Sequence, residues 1–189
     1  MSVLERPRKG FVDPAWVRRR WTAASASAPS VPRLHLERTG STHTLLDGGW
    51  WPRSTDPVAE LPGLVFAIDK VRGPVTSLIL NAEGWDEHPR RLDMGGRVLR
   101  LGFFASQPAA LLTAFCDNGD RVDLLVVPPG TEADAADAAM IRAATTANVL
   151  HAEHILNAVC LRSAADGRAV ELWESEGGSR HVTIGAGGN

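Results

Sequence analysis

The chain has 189 residues, of which 44% are hydrophobic and 22% are charged, and its formal net charge at pH 7 is −2. This composition is typical of a globular protein, and the charge gives no whole-chain case for binding to nucleic acid or to a membrane. No apolar run approaches the roughly 20 residues of a membrane-spanning helix, and the first residues do not resemble a signal peptide. Cys116 and Cys160 form no Cys-x-x-Cys motif, so we expect a soluble cytoplasmic protein with reduced thiols.

Residues 1–32 are predicted to be a basic arm followed by a linker. Residues 1–21 hold six basic and two acidic side chains, a net charge of +4 that leaves −6 for the rest of the chain. Asp13-Pro14 has the form of a helix start, and the short helix it would begin needs a surface to dock on. The Ala, Ser and Pro residues at 23–32 indicate a flexible linker. The candidate arm contacts are Trp16, Arg18, Arg19, Arg20 and Trp21.

A single folded domain is predicted at residues 33–160, followed by a C-terminal extension at 161–189 with a frayed Gly-rich end. Alternating residues 34–37 predict a strand, and residues 44–46 continue the apolar pattern into Asp47-Gly48-Gly49-Trp50-Trp51-Pro52-Arg53-Ser54. Neighbouring side chains of a strand point to opposite faces, so one tryptophan can enter a core while the other faces a groove. The two glycines are interpreted as permitting backbone angles that a Cβ would forbid.

A helix is predicted after Asp56-Pro57, because a capping carboxylate precedes a proline at the first helical position. Its apolar face would consist of Leu61, Leu64, Val65 and Ile68. Pro62 is expected to kink or restart this helix, and Gly73-Pro74 to end it. Residues 75–80 and 97–104 read as strands on either side of a loop at 84–91.

The second half of the domain is predicted to contain a hairpin and a helix. Asn118-Gly119 joins strand-like runs at 111–116 and 121–127, and this dipeptide tolerates positive φ at both central turn positions. Thr131 and Asp134 resemble a capping box before an alanine-rich helix with Met140, Ile141 and Leu150 as its larger apolar residues. An apolar run at 155–161 and a strand at 170–173 follow.

This order of elements predicts an α+β fold. We expect a largely antiparallel sheet of about five to seven strands, which could close into a barrel, with one inserted helix and one C-terminal helix.

Several motifs, in this order, resemble an uncharacterised actinobacterial domain family with a D-G-x-W-W-P-R-S signature. They are Asp47 to Ser54, Glu60-Leu61-Pro62, Trp85 with Pro89-Arg90-Arg91-Leu92, the segment 96–103, and the segment 123–129. The resemblance covers approximately residues 33–159. Because the family is one of unknown function, the resemblance implies an actinobacterial, cytosolic origin and no particular chemistry.

The sequence contains no familiar catalytic, nucleotide-binding or zinc-protease motif. His151 and His154 can share a helical face, but a metal needs further ligands, so we interpret them as solvated and predict no metal or cofactor. Asp117 and Asp120 are interpreted as turn residues. Cys116 lies in a predicted strand and is expected to be a buried, inert thiol.

The candidate binding site joins two segments rich in tryptophan and arginine. A tryptophan beside an arginine offers a flat apolar platform and a planar charged fork, which suit carboxylates, phosphates or a partner protein. The alternative is that both adjacent tryptophans are core residues and that the arginines pair with Asp56, Asp86 or Glu87. The candidate residues are Trp50, Trp51, Arg53, Trp85, Arg90 and Arg91.

Three functions remain open. The sequence favours a non-enzymatic binding or regulatory module that engages a protein partner through the tryptophan and arginine groove and the basic arm. The first alternative is a small-ligand-binding protein or enzyme with a pocket near His43, Asp47, Arg53 and His88. The second is a nucleic-acid or ribosome-associated protein acting through residues 1–21, against which the acidic balance of the remaining chain counts.

Overall fold

A computed structural model describes residues 22–25, 28–37, 44–146 and 148–159. The strands are β1 (Thr22–Ala24), β2 (Arg33–Leu36), β3 (Gly48–Trp51), β4 (Val75–Asn81), β5 (Arg91–Asp93), β6 (Val98–Phe104), β7 (Leu111–Cys116) and β8 (Arg121–Val126). The helices are α1 (Pro57–Arg72), α2 (Ala133–Ala143) and α3 (residues 152–159). In these ranges no helix has the length and apolar character needed to cross a membrane.

The eight strands form one open sheet in the order β1-β5-β6-β4-β7-β8-β3-β2. Four neighbouring pairs are antiparallel, and three (β1–β5, β3–β8 and β4–β6) are parallel. The predicted α+β class with a mostly antiparallel sheet is therefore confirmed. The finer description was wrong: within the described ranges the sheet has eight strands rather than five to seven, it does not close into a barrel, and three helices accompany it. β1 consists of residues that the sequence analysis assigned to the arm and linker.

Two hydrophobic clusters lie on opposite faces of the sheet. On the first face, α1 buries the predicted stripe of Leu61, Leu64, Val65 and Ile68 against the strands. On the second face, α2 and α3 pack over the end of the sheet that contains β2, β3 and β8. The second cluster includes no residue of β4, β5 or β6, so among the described residues this half of the second face has no helical cover.

Helix α1 begins and ends as the sequence predicts. The Asp56 carboxylate accepts bonds from the backbone nitrogens of Val58 (2.8 Å) and Ala59 (3.3 Å), and Gly73 terminates the helix with a φ of 92°. Pro62 does not restart the helix, since one helix runs from Pro57 to Arg72 with Pro62 inside it.

The glycine pair before the tryptophans allows two close contacts. A Cβ on Gly48 would lie 2.1 Å from the backbone oxygen of His35 in β2, and a Cβ on Gly49 would lie 2.7 Å from Cα of Met140 in α2. Neither glycine has a positive φ. The expectation that the two glycines adopt backbone angles forbidden to other residues was therefore wrong. The glycines are needed because a neighbouring strand and helix approach the backbone of β3 closely.

The hairpin between β7 and β8 has the predicted pairing and a different turn. Phe115 pairs with Arg121 in the antiparallel ladder. The Gly119 nitrogen donates to the Cys116 oxygen (3.2 Å), so the central turn positions are Asp117 and Asn118, and Gly119 follows them with a φ of 85°. This is a three-residue loop with a bulge glycine instead of a two-residue turn centred on Asn118-Gly119.

We expect Gly119→Val to lower the free energy of unfolding by about 1–2 kcal/mol, because a β-branched side chain is strained at positive φ. No atom lies within 4 Å of a Cβ built at this position, so the effect is conformational rather than a steric clash. Urea denaturation measures it. The matched control is Gly119→Asn, which should lose much less because asparagine tolerates this conformation. Equal midpoints for the two variants would contradict the bulge assignment.

The start and end of α2 differ from the prediction. Glu132 caps the helix in place of Thr131, and its carboxylate accepts from the backbone nitrogens of Asp134 (3.1 Å) and Ala135 (3.3 Å). The helix ends at Ala143, so Leu150 belongs to the segment before α3. The strand predicted at residues 170–173 lies outside the described residues.

Candidate functional site

Strand alternation separates the two adjacent tryptophans as predicted. Trp50 faces α1, is 0% exposed, and stacks on Trp85 with ring centroids 5.9 Å apart and an interplanar angle of 13°. Trp51 points to the opposite face and packs beside the α2 cluster. Trp50 is therefore a core residue that no ligand can reach.

The exposed side of Trp51 is covered by Arg33 instead of Arg53. The Arg33 guanidinium carbon lies 3.3 Å from the centre of the Trp51 ring, and Arg33 also donates to the backbone oxygens of Trp51 (3.0 Å) and Pro52 (2.7 Å). Burial, followed by the charge of Arg53, lowers the pKa of Arg33. Arg53 donates to the backbone oxygen of Val31 (2.9 Å). The predicted pairing of a tryptophan with Arg53 is thus replaced by a cation–π contact within the fold.

The two predicted binding segments do meet in space. Besides the stack of Trp85 on Trp50, the Thr55 hydroxyl donates to the Asp86 carboxylate (2.8 Å). These contacts hold the loop before β5 against the chain after β3 and leave no groove between the tryptophans. Arg90 and Arg91 remain exposed at the start of β5. Of the six candidate residues, Arg53, Arg90 and Arg91 are exposed, and Arg53 is held by its bond to the Val31 oxygen.

Arg91 belongs to a row of four aligned residues, one from each of four neighbouring strands, on the uncovered half of the second face. Thr22 of β1 pairs with Arg91 of β5, Arg91 pairs with Arg100 of β6, and Arg100 pairs with Ser77 of β4. We call these four residues the arginine row. Arg91 is a predicted site residue, whereas the other three could not be predicted from sequence patterns, because their alignment depends on which strands become neighbours.

None of the four side chains in the arginine row has a hydrogen bond or ion pair with another described residue. Next to the row is a depression of about 490 Å³, whose lining includes Arg91, Arg100, Val98, Arg97 and Asp117. Arg97 is paired with the Asp69 carboxylate of α1. Arg91 and Arg100 therefore present two exposed positive charges that form no ion pair among the described residues.

A second candidate lies at the other end of the sheet, where Asp47 lines a cavity of about 640 Å³ between the β7–β8 hairpin and α3. Its walls also include Asp120, Arg121, Asp123 and His151. This is the part of the predicted small-ligand pocket that the fold retains. Arg53 does not line the cavity, and neither does His88, whose Nε2 lies 2.6 Å from the backbone oxygen of Ala82. His43 lies outside the described residues.

Three carboxylates that line this cavity, those of Asp47, Asp120 and Asp123, are already bound by protein donors. Asp47 accepts from Arg72 (2.9 Å) and from the backbone nitrogen of Asp123 (2.9 Å). Arg72 also reaches Asp120 (3.3 Å), and Asp123 pairs with Arg121 (2.9 Å). Burial raises the pKa of Asp47, an effect that the Asp123 nitrogen and Arg72 oppose. This network joins α1 to the hairpin and to the start of β3. It pairs the carboxylates of Asp47, Asp120 and Asp123 within the fold, while Nε of Arg72 is buried and has no hydrogen-bond partner among the described residues.

The remaining candidates carry no recognisable chemistry. In the part of the chain that is described, no group of three or more His, Cys, Asp or Glu side chains could hold a metal ion. Cys116 is a buried free thiol whose pKa is raised by burial, which makes it unreactive. The arm contacts Trp16, Arg18, Arg19, Arg20 and Trp21 lie outside the described residues, so their role stays a prediction.

Comparison with known proteins gives a family and no activity. A family model described as a family of unknown function (DUF5994) matches residues 33–143. No curated protein and no solved structure shows a match to the chain. The match spans β2 to α2, so it includes Arg91, Arg100 and Ser77 of the arginine row and excludes Thr22.

Proposed function

The chain belongs to this family of unknown function, and we propose that it is a binding module that engages an acidic segment of a partner protein through Arg91 and Arg100. The contact surface is the uncovered half of the second sheet face. A non-enzymatic role fits the described residues, because their buried side-chain polar atoms, apart from Nε of Arg72, are paired within the fold, and the unpaired charges of Arg91 and Arg100 lie on an open surface.

The observation that carries this proposal is the direct cross-strand pairing of Arg91 with Arg100. Like charges at opposite positions of an antiparallel pair are destabilising, typically by about 0.2–1 kcal/mol. No acidic side chain among the described residues forms an ion pair with either arginine. An acidic segment laid across β5 and β6 would remove this repulsion and gain charge-assisted hydrogen bonds.

The apolar neighbours of the arginines favour a protein partner. Val98 and Phe104 of β6 are 54% and 51% exposed, and they lie on the same face as Arg100 because side chains two residues apart share a face. Arginine and aromatic side chains around an apolar centre are typical of protein interfaces. The expected ligand is therefore a segment that combines carboxylates with apolar side chains.

We also propose that the basic arm adds affinity for the same partner. Residue 22 pairs with Arg91, so β1 attaches the arm to the sheet beside the arginine row. The net charge of −6 on residues 22–189 opposes a general attraction to nucleic acid, whereas residues 1–21 carry a net charge of +4.

The test uses the full chain and a fluorescein-labelled peptide of alternating glutamate and leucine residues. We expect the double variant Arg91→Glu, Arg100→Glu to bind the peptide at least tenfold more weakly, since each lost charged hydrogen bond is worth about 1.5–3 kcal/mol. Fluorescence anisotropy at about 0.15 M salt measures the affinity, because lower salt exaggerates surface electrostatics.

The matched control is Arg142→Glu, which reverses an exposed arginine on α2 and should leave peptide binding unchanged. Melting temperatures show whether each variant is folded. Equal affinities for the wild type and the double variant would contradict the proposal. Tighter, arginine-dependent binding of a single-stranded oligonucleotide than of the peptide would instead support the nucleic-acid alternative.

A further inference from the structure

We infer that the arginine row recognises a phosphorylated side chain in the partner segment. This inference rests on the proposed function and narrows its ligand from an acidic segment to one that carries a phosphate group. The row offers two guanidinium groups between two hydroxyl groups, all on the open half of the second face.

The two arginines are close enough to share one ligand group. The Leu101 nitrogen donates to the Arg90 oxygen (2.9 Å), so Arg90 and Leu101 form a hydrogen-bonded pair of the β5–β6 ladder. Hydrogen-bonded and non-hydrogen-bonded pairs alternate, which makes Arg91 and Arg100 a non-hydrogen-bonded pair with Cα atoms about 4.5 Å apart. Side chains are closest in pairs of this kind, so both guanidinium groups can meet on a single anion.

The charge of the row matches a dianion. A single carboxylate compensates one of the two arginines, whereas a phosphorylated serine or threonine carries a charge of about −1.5 to −2 at pH 7 and three strong acceptor oxygens. Guanidinium groups bind such oxygens through two parallel hydrogen bonds. The Asp93 carboxylate, which shares the face of Arg91, accepts from the Gly95 nitrogen (2.9 Å), and neither Asp93 nor Asp117, which lines the same depression, forms an ion pair with either arginine.

The flanking hydroxyls supply the remaining donors. Ser77 is half-buried beside Arg100, and Thr22 is exposed beside Arg91. Neither hydroxyl has a hydrogen bond to another described residue. A phosphate held between the arginines would therefore meet a hydroxyl donor on each side, an arrangement that a planar carboxylate cannot fully use.

The experiment compares three labelled peptides on the full chain: one with a central phosphoserine, and two in which serine or glutamate replaces it. We expect the phosphopeptide to bind roughly 10- to 100-fold more tightly than the glutamate peptide, in line with additional charge-assisted hydrogen bonds. Ser77→Ala should reduce this preference, because it lowers the affinity for the phosphopeptide by a larger factor than the affinity for the glutamate peptide. Arg91→Lys should also reduce it, because lysine keeps the charge and loses the planar fork.

Three outcomes would overturn the inference. Equal affinity for the phosphorylated and glutamate peptides, with both lost in Arg91→Glu, Arg100→Glu, would overturn phosphate recognition and leave the proposed function standing. Binding of neither peptide would overturn both. In the third outcome, inorganic phosphate or an oligonucleotide abolishes the preference for the phosphopeptide at concentrations below the phosphopeptide dissociation constant. The row would then bind those anions in preference to a phosphorylated protein.

Discussion

We expect Trp50→Ala to lower the free energy of unfolding by about 3–5 kcal/mol, the usual range for truncating a fully buried large aromatic side chain. Trp50 is 0% exposed, belongs to the cluster that α1 covers, and stacks on Trp85. Its removal would leave a cavity in this cluster and expose one face of the Trp85 ring. Urea denaturation monitored by circular dichroism measures the loss.

The matched variant is Trp51→Ala, for which we expect a loss of about 1–2 kcal/mol. Trp51 is half-buried, and truncation removes its cation–π contact with Arg33 and the bond from its Nε1 to the Pro129 oxygen (3.3 Å). Neither tryptophan lies in the arginine row, so both folded variants should bind the acidic peptide with wild-type affinity. Similar urea midpoints for Trp50→Ala and Trp51→Ala would contradict this difference and show that the two side chains contribute equally to stability.

Local sequence patterns correctly predicted the elements that are determined by interactions between residues close in sequence. The start of α1 is marked by Asp56-Pro57 and its end by Gly73. Both could be predicted because capping and helix termination depend on residues within one turn. The alternation of Trp50 and Trp51 follows from the geometry of a strand, whatever its neighbours are. Asn118-Gly119 marked the β7–β8 hairpin correctly, while the choice between a two-residue turn and a bulge depended on how Cys116 pairs with Asp120.

The candidate site depended on pairings that are distant in sequence. Arg91 and Arg100 become neighbours through a short antiparallel pair, whereas Thr22 and Ser77 join the row through parallel pairs. Parallel neighbours are joined by long connections, and no short motif marks their register. Likewise, Arg33 covers Trp51 because β2 pairs with β3, and nothing in the Trp-Trp-Pro-Arg sequence distinguishes it from Arg53.

The buried ion pairs of Arg72 could not be predicted from the sequence either. Arg72 lies at the C-terminal end of α1, Asp47 precedes β3, and Asp120 is in the hairpin between β7 and β8. The side chain of Arg72 is 4% exposed and that of Asp47 is 13% exposed. Asn118 of the same hairpin donates to the Arg72 backbone oxygen (3.1 Å). Three segments therefore meet at one buried charge, and its partners can be identified only after the sheet has brought them together.

We expect Arg72→Met to lower the free energy of unfolding at pH 7 by about 3–5 kcal/mol, because removing one partner of a buried ion pair leaves the other charge uncompensated. Methionine preserves much of the apolar volume of the arginine stem, so the loss reports the charge rather than a cavity. Urea denaturation at several pH values measures it. The control is Arg121→Met, which removes an exposed partner of Asp123 and should cost no more than about 1 kcal/mol.

The pH dependence of this loss follows from the Asp47 carboxylate. Burial raises its pKa above the ordinary value of 3.8 even with Arg72 in place, and without Arg72 the pKa rises further. A carboxyl group with a raised pKa contributes stability below its unfolded pKa, and this contribution is lost as the pH rises through the folded value. The deficit of Arg72→Met relative to the wild type should therefore be small near pH 4 and grow toward pH 7. If the deficit in the free energy of unfolding stays constant over this range, Arg72 stabilises the fold through packing and not by compensating a buried charge on Asp47.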